Sequence, residues 1–356
     1  MMISIYDPQT LELQCNIARA TSIIWNLSFY DAGSFEIHLS PDSPFLDQLQ
    51  LYRLIKHKNH CGIILYRRQN KDDIEIRGCD LNGLTTFRQV VPPFVYLSNP
   101  TTISSYDRAS GNAETVMRHY IVAHMTNPTE TARRIDNLSL GANGQRGQDI
   151  VWQARFTNLA DELKKIGQYA QVGYNISFHP DSKQLIFDCL MGTDRTDSVT
   201  FCREYRNITD FDYTNDATGA VNLAYVGGSG EEEQQYIEKV YKESNAPTGI
   251  RRQEGFTSSN GTVLSDVKDA GLSYIDENKA VETVESESNT KLMYGRDWFL
   301  GDYVTVKIKA FGETMILEKQ ITEVQEVYER ANNTVKPIFG DVKNSTIKRI
   351  LRGVKQ

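Results

Sequence analysis

The sequence predicts an α+β protein that is mainly β, with two antiparallel β regions, the first a barrel or a sandwich, an α+β domain and a helical insertion. Three observations carry this. Period-2 alternation recurs towards both ends: Phe35, Ile37 and Leu39 share one face of residues 34–40, and Val304, Val306 and Ile308 one face of 303–309. Such alternation marks a strand with one buried side. Between them, residues 157–171 space Leu159, Leu163, Ile166 and Ala170 as the apolar stripe of a helix. Residues 231–290 are rich in acids and poor in large apolar side chains, as an outer insertion would be.

The 356 residues point to about two to four compact units. The divisions expected are 1–97 and 198–230 with 291–345 for the two β domains, 98–197 for the α+β domain, 231–290 for the charged insertion and 346–356 for a short basic tail. Hydrophobic residues make up 40% and charged residues 24%, ordinary values for a soluble globular protein. No run approaches the roughly 20 apolar residues that span a bilayer, so no membrane insertion is expected. Residues 1–20 lack a basic head followed by an apolar run, so no signal peptide is expected. Formal net charge is -7, and Lys and Arg are dispersed. A nucleic-acid grip needs a basic stripe, whereas a negative balance suits a surface that DNA passes without sticking. Cys15, Cys61, Cys79, Cys189 and Cys202 include no Cys-x-x-Cys pair; they read as buried free thiols of a reducing cytoplasm.

In chain order, an opening strand ends at Tyr6-Asp7-Pro8, and Ile23-Ile24-Trp25 leads to the strand over 34–40. Strands over 51–55, 61–66 and 73–78 follow, with the polar turn His57-Lys58-Asn59-His60 between the first two, and Pro92-Pro93 ends the region. Residues 112–125 form an amphipathic helix capped by Asn112 and stopped by Asn127-Pro128. Residues 141–148 are a polar loop. The helix over 157–171, capped by Thr157, leads into strands 173–178 and 184–189. Strands over 199–202 and 221–226 come next. Glu231-Glu232-Glu233 opens a charged helix, and a second runs from about 265 to about 289. Residues 303–309, 316–327 and 335–339 complete the second β region.

Chemical motifs are sparse. There is no nucleophile elbow, Walker loop, His-Glu-x-x-His or calcium loop. Gly227-Gly228-Ser229-Gly230 precedes three glutamates that would repel phosphate, so it reads as a loop. His57, His60 and Cys61 lack a second cluster to complete a metal site, and a turn explains them more simply. His119 and His124, five apart, do not share a helix face; one is expected exposed and the other packed. A glycosidase needs two carboxylates across one sugar, and with 46 acids no pair stands out. The sequence reading is therefore of no enzyme, no cofactor and no metal.

Three segments together resemble one family. They are Gly192-Thr193-Asp194-Arg195-Thr196, then Trp298-Phe299-Leu300-Gly301-Asp302-Tyr303-Val304-Thr305-Val306, then Ile321-Thr322-Glu323-Val324 running into Val335-Lys336-Pro337-Ile338-Phe339-Gly340. In this order they resemble the tail hub (baseplate hub, tail-tip) proteins of siphophages and prophages, relatives of the myophage baseplate hub. Residue chemistry agrees: Gly301 can take the positive φ of a turn before a strand, and Asp194 and Arg195 suit an ion pair or turn. The resemblance implies a homotrimer whose paired β-barrel-like domains make a pseudo-sixfold ring. The tail tube or distal tail protein would bind one side and a tip or spike protein the other, with DNA passing through without specific binding. It implies a virion tail component assembled in the bacterial host cytoplasm, with Gly192, Asp194, Arg195, Thr196, Leu300, Gly301, Asp302, Phe339 and Gly340 as structural motif residues and none catalytic. Since the chain stops near 356, no C-terminal wall-cutting or receptor-binding domain is expected. The alternatives are a tail-tip protein that binds or degrades cell-wall carbohydrate, and the hub of a phage-derived injection particle.

Overall fold

The computed structural model describes residues 1–92, 106–228, 235–259, 263–288, 291–330 and 333–340. Two compact units emerge, one of Met1–Asp212 with Glu285–Gly340 and one of Tyr213–Val284. The expected helix at Glu231-Glu232-Glu233, the second half of the Gly227–Gly230 loop and the basic tail lie outside the described residues.

The first unit opens with seven strands: β1 (Ile3–Tyr6), β2 (Leu13–Ile17), β3 (Ala20–Ser28), β4 (Ser34–Leu39), β5 (Leu54–His57), β6 (His60–Gln69) and β7 (Ile74–Asp80). They line up as β2-β1-β5-β6-β7-β4-β3. Their alternating apolar residues meet on one face, where Ile3, Ile5, Ile23, Trp25, Phe35, Ile37, Ile55, Ile64 and Ile76 form a core. Trp25 and Phe35 pair across strands with rings 4.9 Å apart, and such a pair adds about 0.5–1.5 kcal/mol beyond its buried area.

An α+β block follows. Its strands are β8 (Asp107–Asn112), β9 (Leu138–Leu140), β10 (Asp149–Ala154), β11 (Val172–His179) and β12 (Gln184–Met191), and its helices are α1 (Ala113–Ile121) and α2 (Leu159–Ala170). Asn112 caps α1 by accepting from Thr115 N at 2.9 Å. The cap of α2 is Asn158, accepting from Ala160 N at 3.0 Å, and not the expected Thr157. The Asn158 amide oxygen accepts the first-turn N–H, so the helix begins one residue later than expected. Val116, Met117, Tyr120, Leu163, Ile166, Tyr174 and Phe187 make a second core, which also takes in Leu54, Ile63 and Leu81.

The remaining strands of this unit and its borders are β13 (Thr200–Cys202), β14 (Ile208–Asp216), β18 (Val281–Ser288), β19 (Tyr303–Ala310), β20 (Glu313–Glu329) and β21 (Asn333–Gly340). The 17-residue β20 decides the architecture. Its first half pairs with β19 and its second half, Glu323–Glu329, with Ser28–Ser22 of β3. The second β region thereby extends the first region's sheet into one of 13 strands. Among the described residues no sheet closes into a barrel, where two barrel-like domains were expected.

In the second unit, β15 (Leu223–Gly227) lies between antiparallel β16 (Ile237–Val240) and parallel β17 (Glu254–Ser258). One helix, α3 (Leu264–Glu277), covers a face of this sheet through Val267 and Ile275 against Ala224, Val226 and Val240. The insertion is therefore not simply helical. The helix expected to reach about 289 ends at Asn278, whose N–H bonds Tyr274 O at 3.2 Å. The next residues, Val281, Thr283 and Val284, are β-branched and continue as β18.

Candidate functional site

The three motif segments, the first about a hundred residues before the other two, converge on one knot in the first unit. At its centre is Asp302, only 3% exposed. Its Oδ1 accepts from Thr193 N at 2.9 Å, and its Oδ2 from Arg195 Nε at 2.6 Å and Phe299 N at 2.9 Å. Three donors, one of them charged, replace the water this carboxylate loses on burial. The ion pair of the motif is thus Arg195 with Asp302, while the adjacent Asp194 has a local task. Asp194 Oδ1 accepts from both N and Oγ1 of Thr196, at 3.0 and 2.7 Å. Those bonds hold its carboxyl below the usual range. The Arg195 guanidinium also lies 5.6 Å from the Phe299 ring centre.

Gly192 and Gly301 let this knot close. A side chain on Gly192 would stand 1.8 Å from Gly301 O. Gly301 has φ +96 and faces the Phe29 ring, which a Cβ would meet at 2.2 Å. The half-buried Leu300 precedes it. Gly301 N donates to Ile321 O at 2.8 Å. Ile321 in turn pairs with Phe339 of β21. Phe339 is fully buried, with its ring edge-on to Phe201 of β13 at 4.9 Å. Gly340, φ +99, accepts from Thr322 Oγ1 at 2.7 Å. Phe29 N donates to Thr322 O at 3.0 Å, and Tyr174 N to Phe29 O at 3.3 Å. The knot thereby ties the first strands, the α+β block and the last strands together. Phe29, Tyr174 and Thr322 carry no periodic or motif signal that singles them out in the sequence.

The other candidates diverge. His57 Nδ1 pairs with Met2 O at 2.9 Å and His60 Nε2 with Glu326 Oε1 at 3.0 Å, so the two imidazoles serve different partners. Among the described residues no group of three or more His, Cys, Asp or Glu is arranged to hold a metal. All five cysteines are free, four of them buried and Cys79 half-buried; burial pushes the Cys61, Cys79 and Cys189 thiols up to about 12. An open groove of about 340 Å³ runs past Thr10, Asn137 and Lys183, and of its lining residues only Asp136 is acidic, short of the carboxylate pair that glycoside hydrolysis uses. His119 and His124 do share a face, against the sequence expectation, because α1 continues as a π-helical turn over Val122–Thr126. Both imidazoles contact Asp107, with His119 39% exposed and His124 1%.

This architecture is that of prophage tail proteins. The 43 kDa tail protein of prophage MuSo2 from Shewanella oneidensis superposes with a TM-score of 0.59 at 10% identity, covering 95% of this chain and 98% of that one. Prophage tail protein gp18 from Listeria monocytogenes EGD-e gives 0.55 at 13% identity, covering 100% and 99%. The tail protein from Neisseria meningitidis MC58 gives 0.55 at 13%, covering 95% and 96%. The chain itself belongs to the Siphovirus ReqiPepy6 Gp37-like protein family, whose profile matches residues 2–341. No curated protein matches it.

Proposed function

We propose that this tail protein is a structural hub at the distal end of the tail, joining the tail tube to the tip or spike. The observation that carries the reading is the fusion of two β modules in one sheet through the β3–β20 ladder. Three copies each offering two such modules present six, which matches a sixfold tube on one side and a threefold tip on the other. In this reading the motif residues around Asp302 set the angle between the modules and take part in no chemistry. DNA passes through the ring without specific binding, since the net charge of -7 and the dispersed cations offer phosphate no grip. The particle is assembled in the host cytoplasm and resides in the virion tail. Light scattering of the purified chain followed by negative-stain imaging tests this. Threefold rings with a hole about 20 Å wide, the width of a duplex, are expected; a chain that stays monomeric both alone and with its tube and tip partners would overturn it.

A further inference from the structure

The bridge His119–Asp107–His124 lies apart from the motif knot. Asp107 opens β8 and is 6% exposed. Its Oδ1 meets His119 Nε2 at 2.7 Å and its Oδ2 meets His124 Nε2 at 2.8 Å. A turn of i→i+5 geometry brings residues five apart closer to one face than an α-helical turn does, and such a turn follows α1 over Val122–Thr126. The bridge therefore holds the end of α1 in its π form. The Tyr120 hydroxyl donates to Asp107 O at 3.2 Å, and its ring stacks on His124 at 6.0 Å. The Nδ1 of His124 is buried and meets no hydrogen-bond partner among the described residues.

We propose that this bridge is an acid-operated latch on α1, tightened by its first added proton and released by the next. With both imidazoles neutral, each donates its Nε2–H to the Asp107 carboxylate. The first proton goes to Nδ1 of His119, the imidazole that solvent reaches, and turns its contact into an ion pair. The second has two places to go. On Asp107 it removes an acceptor that both imidazoles use. On His124 Nδ1 it creates a buried N–H with no acceptor among the described residues. Either way the π turn loses its anchor.

The charged groups on the surrounding elements are engaged elsewhere. Arg108 and Arg155 each lie 5.9 Å from the Tyr106 ring centre. Glu162 of α2 accepts from Trp152 Nε1 at 2.8 Å, and Arg118 of α1 faces Glu114. The titration directions agree. The Asp107 hydrogen bond raises His119 above its ordinary value against the opposing effect of burial. Burial pushes Asp107 up, but the bonds from His119 and His124 outweigh it and take the carboxyl down to about 2. The His119 contribution is therefore present below the ordinary histidine value of 6.5 and lost as pH rises through its raised folded value. That of Asp107 is present above the ordinary 3.8 and lost as pH falls towards about 2.

The test is the thermal midpoint from pH 8 to 2.5 for wild type, His119→Gln and Asp107→Asn, with NMR titration of the imidazoles and amide exchange at Asn127, whose N–H bonds Val122 O at 2.8 Å. Wild type gains stability on mild acidification and loses it below about pH 4, where Asn127 protection relative to neutral pH falls at least about tenfold beyond the intrinsic pH effect. His119→Gln shrinks the gain to the share that other groups, Glu323 among them, supply, and keeps the loss. An unchanged gain in His119→Gln, or His124 taking up a proton as readily as His119, overturns the latch. If Asp107→Asn fails to fold, the other two measurements still decide.

Discussion

At the scale of single residues, the knot depends on groups that have no substitute. Gly301→Val places a β-branched side chain at φ +96 and against the Phe29 ring, two penalties in one position. It is expected to cost more than about 3 kcal/mol, read as a fall in urea midpoint or as insoluble protein. Gly192→Ala has ordinary backbone angles to satisfy, yet its Cβ meets a carbonyl oxygen that cannot rotate away; a loss above about 2 kcal/mol is expected. Asp302→Asn keeps the shape while removing the charge beside Arg195. Losing the charge on the buried side of a pair whose Arg195 is 30% exposed costs about 1.5–3 kcal/mol, and Asp194→Asn, on an exposed turn, costs far less. Equal losses in the two variants would refute the assignment of the ion pair to Asp302. The glycine turn at 301 was legible from sequence, because only a residue without Cβ suits a turn fused to an alternating strand. The partner of Arg195 was not, since the contact spans 107 positions.

At the scale of elements, α2 discriminates between two neighbouring candidates for its cap. Asn158→Ala is expected to lower stability by about 1 kcal/mol. Thr157→Ala is expected to change it by less than about 0.5 kcal/mol, because the Thr157 hydroxyl meets no hydrogen-bond partner among the described residues. Denaturant midpoints of the two variants check the ranking. On β20, Glu323 is a carboxyl whose burial, with Asp31 and Glu285 nearby and Lys164 opposing, pushes it up to about 7. It is protonated in the fold at pH values where the unfolded chain ionises it. Its share of stability is thus intact below the ordinary 4.5 and lost as pH rises through about 7. Glu323→Gln is expected to flatten that slope and to stabilise the protein at pH 8 by on the order of 2 kcal/mol; an unchanged pH profile would contradict it. The alternation of 303–310 revealed the strand, but nothing local to β20 reveals that its second half leaves β19 and pairs with β3.

At the scale of the molecule, the chain leaves its first unit along β14 and returns along β18, with the second unit's own core in between. Val226, Val240, Val267 and Ile275 form a core small enough to melt separately. Calorimetry is expected to show two transitions, and a ligand-free single transition with equal calorimetric and van't Hoff enthalpies would mean that the units unfold as one.

What the sequence by itself determined is the material of the fold and its lineage. The period-2 strands at both ends, the helices begun at Asn112 and near 158, and the order of the Gly192, Gly301 and Phe339 segments are local patterns that need no partner to be read. Tertiary structure alone decided where those strands pair. Hydrogen-bonded ladders such as β3–β20 join residues about 300 positions apart, and a strand's pattern states which face is buried without stating which neighbour it meets. The same holds for chemistry. A spacing of five puts His119 and His124 on different faces of an α-helix, and it is the π turn, held by Asp107 from another element, that sets them side by side.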